Sequence, residues 1–163
     1  MTTEERTIQR DRMRFIRNSL SANLCYLGIL FNVFYFVNLY QSDVGTYYYQ
    51  IFIGASIIYN LLFLLIVFLA SEAVKNYVQS YSYLLAAIGA MQVVRVFYIP
   101  MRAHTAMTEV NGVQVSVMGD GQFYLLSAFL LISAACLLVS AAVNFKKCQE
   151  LAEHMKTLEA QGA

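Results

Sequence analysis

The chain reads as an all-α membrane protein: four transmembrane helices in an antiparallel bundle, both termini cytoplasmic, and an external β-hairpin between the third and fourth helices. Three observations predict this class. Of 163 residues, 59% are hydrophobic and only 13% charged, against about 25% charged in a typical soluble domain. The mean hydropathy is +0.54. The apolar residues also gather into four runs, about 20–40, 47–70, 80–100 and 123–144. Each matches the roughly 20 residues an α-helix needs to cross about 30 Å of hydrocarbon. Together they make one polytopic domain.

Residues 1–19 form a basic flank. Thr2 and Glu5 have capping-box spacing, and Arg6, Arg10, Arg12, Arg14 and Arg17 follow, a composition suited to anchoring the next helix at a membrane surface. The first apolar run lacks a small-x-small cleavage pattern and is expected to stay as a span. Residues 41–46 and 71–76 make short polar turns, so consecutive spans should be neighbours. Four spans put both ends on one side. That side carries the N-terminal arginines, Lys75, Lys146, Lys147 and Lys156, and the other carries Arg102. An excess of Lys and Arg marks the cytoplasmic face, and a bacterial cytoplasmic membrane is the expected location.

The 101–122 loop contains Asn111 and Gly112 between β-compatible runs. That dipeptide supplies the two positive φ angles of a type I′ turn, so the loop predicts a hairpin. The tail, 145–163, places Cys148, Leu151, Met155 and Leu158 at 3-4-3 spacing. This stripe predicts an amphipathic helix continuing from the fourth span.

Candidate functional residues lie inside the spans. With each span centred in the bilayer, Asn32, Asn60 (with Ser56 one turn away), Gln92 and Ser133 fall at similar depth. Unsatisfied amides in lipid cost several kcal/mol, so these side chains should bond to one another in a layer shared by four helices. Arg95 is the clear intramembrane charge, on a face with Leu85, Ile88, Gln92 and Ile99. It lies five residues before Pro100, roughly 7 Å along the axis at about 1.5 Å per residue. From there its side chain is expected to snorkel outward to partners among Asp43, Glu109, Asp120, Tyr40, Tyr47 and Tyr98. Asp43, Tyr98, Asn111 and Gly112 are thus the candidate external interface. Ala86 and Ala90 form a small-xxx-small pair suited to close helix packing.

Other chemistry finds little support. Cys25, Cys136 and Cys148 form no CxxC pair, and no Asp or Glu falls within a span, which disfavours proton coupling through a membrane carboxylate. His104 and His154 belong to opposite sides, so no metal-ligand set is expected and no cofactor. A net charge of +1 disfavours nucleic acid as a partner. The expected partners are lipid and other membrane subunits or further copies of the chain. The expected role is a non-catalytic subunit packed against a larger membrane complex. The alternative is a small homo-oligomeric channel or transporter built on the Asn/Gln layer and Arg95.

Overall fold

A computed structural model describes residues 16–40, 50–110 and 112–161. The elements in chain order are α1 (Ser19–Tyr40), α2 (Gln50–Lys75), α3 (Ser80–Tyr98), α4 (Pro100–Thr105), β1 (Met107–Val110), β2 (Val113–Ser116) and α5 (Asp120–Gln161). Among the described residues four helical stretches are long and apolar enough to cross a membrane: Ser19–Leu39, Gly54–Lys75, Ser80–Thr105 and Asp120–Thr157. The basic flank 1–15, the 41–46 turn with Asp43, Tyr47, Asn111 and the last two residues lie outside the described residues.

Each boundary has a local cause. Asn18 caps α1, its Oδ1 accepting the Ser21 N–H at 3.4 Å, as a side-chain oxygen does for an orphan donor of the first turn. Its backbone N–H also donates to Lys75 O at 3.0 Å, tying the start of α1 to the end of α2. Tyr77 takes φ 59 between α2 and α3, a left-handed conformation that costs a non-glycine residue roughly 1–2 kcal/mol. Pro100 has no N–H to donate and separates α3 from α4. The break is small, because Ile99 N–H still reaches Arg95 O at 3.3 Å and Ala103 N–H reaches Ile99 O at 3.0 Å. The third apolar run therefore extends through α4 to Thr105. Further on, the fourth run and the tail are one uninterrupted helix of 42 residues.

β1 and β2 pair antiparallel, Met107 opposite Ser116 and Val110 opposite Val113, with Gly112 at φ +80 in the connection. Two four-residue strands are marginal alone. Contacts at the base of the pair hold it to the helices. Ser116 Oγ–H is shared between His104 O at 2.6 Å and Met118 O at 2.8 Å, the His104 ring stacks on Phe123, and Met118 is fully buried.

The core has two apolar clusters. One joins Cys25, Phe63, Val67, Ala70, Val74, Leu85, Leu137 and Ala141. The other joins Tyr35, Leu39, Ala103, Met118, Leu126 and Leu130, near the hairpin, and contains no described residue of α2. Rising numbers on one helix meet falling numbers on its neighbour: Ser21 bonds to Ser140 and Ser133 to Gly28 O, while Tyr26 bonds to Glu72 and Asn32 to Asn60. Where α3 and α5 approach, a Cβ on Gly89 would sit 2.9 Å from Leu138 Cγ and 3.3 Å from Ala134 O. α3 thus packs tightly on α5 at Gly89. Of the alanine pair, Ala86 is half-buried and packs on the first apolar cluster, while Ala90 is exposed. Outward, the helices present large apolar side chains such as Leu61, Leu65, Phe68 and Leu69. A helix apolar on all sides is at home in lipid.

Candidate functional site

Between the two apolar clusters lies a polar layer, and it is built as a relay. Asn32 of α1 donates through Nδ2 to Asn60 Oδ1 of α2 at 3.2 Å. Gln92 of α3 donates through Nε2 to Asn32 Oδ1 at 2.9 Å and to Ser133 Oγ of α5 at 3.3 Å. Ser133 Oγ–H in turn donates to Gly28 O at 2.8 Å, and Asn60 Nδ2 to Ser56 O at 2.8 Å. Asn32, Asn60, Gln92 and Ser133 are all buried. Residues expected to share a depth therefore bond to one another across all four long helices. Ser56 joins through its backbone carbonyl; its hydroxyl, like that of Ser127, has no hydrogen-bond partner among the described residues.

Arg95 sits at the hub, and here the structure corrects the expected outward reach. The residue is 8% exposed. Its Nη1 donates to Asn32 Oδ1 at 2.9 Å and to Gln92 Oε1 at 2.8 Å, and Nη2 donates to Asn60 Oδ1 at 3.1 Å. The guanidinium carbon lies 4.8 Å from the Tyr35 ring centre and 4.4 Å from that of Tyr59, distances at which a ring face attracts a cation. A helical side chain leans toward the N-terminus of its own helix. For Arg95 that direction leads back to Gln92, away from Pro100, so the layer captures it before the far interface can.

These three acceptors are neutral amides, and among the described residues Arg95 meets no carboxylate. The remaining expected external partners go elsewhere. Tyr98 is half-exposed and lies under the Arg102 guanidinium at 5.3 Å. Asp120 approaches His104 Nε2 at 3.8 Å. Gly112 is exposed in the hairpin connection.

A second polar cluster, which hydropathy hides, closes the opposite end of the bundle. Asn18 Nδ2 donates to Ser21 Oγ at 2.9 Å and to Asn144 Oδ1 at 3.0 Å. Asn144 Nδ2 donates to Ser82 Oγ at 2.8 Å and to Val78 O at 3.2 Å. Ser21 and Ser140 exchange hydroxyl-to-carbonyl bonds at 3.3 and 2.8 Å. Cys148 belongs here too, its thiol donating to Tyr77 O at 3.2 Å. The tail stripe is therefore not uniform: Cys148 is seated on the bundle, Leu151 is half-buried and Met155 is exposed, with Leu158 farther along the same helix. Repeated Asn and Ser at the ends of the apolar runs were the readable signal for this cluster.

Fold and site together define a class: among the described residues, four helices long and apolar enough to cross a membrane, as a multi-pass membrane protein has, joined by an arginine-centred polar layer. No protein family, curated protein or solved structure matches it. Among the described residues no three of His, Cys, Asp and Glu come together as a metal site.

Proposed function

We propose that the chain is a non-catalytic integral membrane subunit that packs against a larger membrane complex and stabilises or regulates it, a transporter being the first class of complex to examine. In this reading the four helices form an antiparallel bundle in a bacterial cytoplasmic membrane, termini inside and hairpin outside. The opposed residue order at the helix contacts supports the arrangement. The Lys and Arg distribution supports the orientation.

The observation that carries the role is the closure of the polar layer. Its amides are spent on one another and on Arg95, and apolar clusters cover it on both sides along the bundle axis. Such a layer holds helices in register. The competing reading, a homo-oligomeric channel, draws support from the positive charge that no described carboxylate offsets. Purification from the native membrane in mild detergent, followed by native mass spectrometry, separates the two. Stoichiometric recovery with a different membrane protein is expected. A pure homo-oligomer that passes anions in liposomes would overturn the subunit reading.

A further inference from the structure

We infer that residues 1–15, the arginine-bearing N-terminal segment, dock along the part of α5 that runs past Asn144, on the face of Lys147, Glu150, Leu151 and His154. Such docking holds whether or not the chain serves a larger complex. Three observations lead to it.

The first is a one-sided cover on the tail of α5. Lys147, Glu150, Leu151 and His154 are half-buried, and they stand at positions i, i+3, i+4 and i+7 of one helix face. Around the rest of the helix Gln149, Ala152, Glu153, Met155 and Lys156 are exposed. A covered stripe at this spacing is what a second helix laid alongside produces. Neither Glu150 nor His154 is without a partner.

The second is the track of that stripe. Ser133 and Ser140 lie seven residues apart and both donate to α1, to Gly28 O and to Ser21 O. Two further steps of seven reach Lys147 and His154. Helix positions seven apart drift by only about 20°, so the covered stripe continues the face that binds α1. What precedes α1 in the chain leaves the bundle beside Asn144, because Asn18 Nδ2 donates to Asn144 Oδ1 at 3.0 Å. As a helix, residues 1–15 would span about 22 Å at 1.5 Å per residue. His154 stands about 15 Å beyond Asn144 on the same scale, within that reach.

The third is charge. α1 and α5 run in opposite directions, Ser21 level with Ser140 and Asn18 with Asn144. Carried on past Asn18, the same register sets Arg12 and Arg10 level with Glu150 and Glu153, and Glu5 level with Lys156. Ile8 and Phe15, themselves seven apart, fall level with His154 and Lys147. The non-helical residues 16–18 can shift this register by about one turn, which still leaves Arg12 beside Glu153. Exposed ion pairs are weak singly, but charges flanking a helix seam set its orientation and partner.

The test uses the full chain, its native cysteines replaced by alanine, in nanodiscs of phosphatidylcholine and phosphatidylglycerol. Spin labels on cysteines at Gln9 and Ala152, the latter exposed on the far side of the tail, report separation by pulsed electron resonance. A narrow distribution below about 30 Å is expected, from helix axes about 10 Å apart and two outward labels. A broad distribution, or one centred farther out as when the arginines lie on the anionic lipid instead, overturns the docking. Glu150→Lys with Glu153→Lys should lower the docked-to-undocked ratio about tenfold, and adding Arg10→Glu with Arg12→Glu should restore it. An unchanged ratio in the first variant, or no recovery in the second, also overturns the inference. If either variant fails to fold, the distribution with the native charges decides alone.

Discussion

Asn32→Leu should destabilise the isolated chain more than removing the buried charge itself. The Asn32 side chain makes three bonds: Oδ1 accepts from Gln92 Nε2 and from Arg95 Nη1, and Nδ2 donates to Asn60. One of these serves a cation, the kind worth about 1.5–3 kcal/mol, while neutral ones are worth about 1. In bilayers the unfolded reference also finds partners, which trims such values. The leucine recovers some packing, leaving a net loss of about 2–3 kcal/mol, or roughly 30- to 150-fold in the unfolding equilibrium. Arg95→Met loses the three amide bonds and two ring contacts. It also removes a desolvated charge whose burial costs several kcal/mol. Among the amides it strands only Gln92 Oε1, since Asn32 Oδ1 keeps Gln92 as donor and Asn60 Oδ1 keeps Asn32. Its net effect should be within about 1 kcal/mol of zero. Reversible unfolding in mixed micelles, followed by circular dichroism against the mole fraction of SDS, measures both. In the double variant the Asn32 penalty should shrink by about 1.5 kcal/mol, because no cation remains to be stranded. If Arg95→Met is the more damaging single change, the account of the layer is wrong.

Four further outcomes are expected from the packing and the proposed orientation. Gly54→Ala should be neutral or stabilise by up to about 1 kcal/mol, since a Cβ there meets nothing within 4 Å and alanine favours helix. Gly89→Val should destabilise by about 2 kcal/mol or more through overpacking against Leu138 and Ala134 O; the same unfolding assay compares the two, and equal effects would contradict the α3–α5 geometry. Asn144→Leu should cost about 2–4 kcal/mol, by breaking a buried network that links Asn18, Ser82 and Val78 O, and should speed maleimide labelling of Cys148. For orientation, a cysteine at Gln114, in a background without the native cysteines, should react with an impermeant maleimide on intact cells, and one at Lys156 only after lysis. The opposite pattern would invert the topology.

Much of this was legible in sequence, and the failures have physical causes. Hydropathy located four long helices because burial of apolar groups in lipid needs only composition and length. Depth matching found Asn32, Asn60, Gln92 and Ser133, because amides at one level of a bundle have few other partners. Arg95 was misplaced by arithmetic along one axis. Distance to Pro100 says how far the side chain could reach, but not which way it leans or that Tyr35 and Tyr59 from other helices would enclose it. The lean itself is a property of every α-helix and could have been applied. The Asn18–Asn144 cluster was missed because polar residues at the ends of apolar runs look like ordinary helix boundaries. Their pairing across 126 positions exists only in three dimensions. The tight α3–α5 approach at Gly89 escapes sequence for a similar reason: spacing alone ranks small residues equally, and only the facing helix chooses among them.

The unbroken course of α5 has a mechanical consequence. It runs from Asp120, beside the hairpin, through the bundle to Gln161, and about 25 Å of it extends past Asn144 at roughly 1.5 Å per residue. The bonds of Asn144 and Cys148 to the α2–α3 turn act as a fulcrum. A tilt of about 10° within the bundle would swing the far end by about 4 Å, carrying Met155 and its neighbouring charges with it. Any small tilt of α5 within the bundle would thus reach the end of this helix as a lever stroke, enlarged by geometry alone.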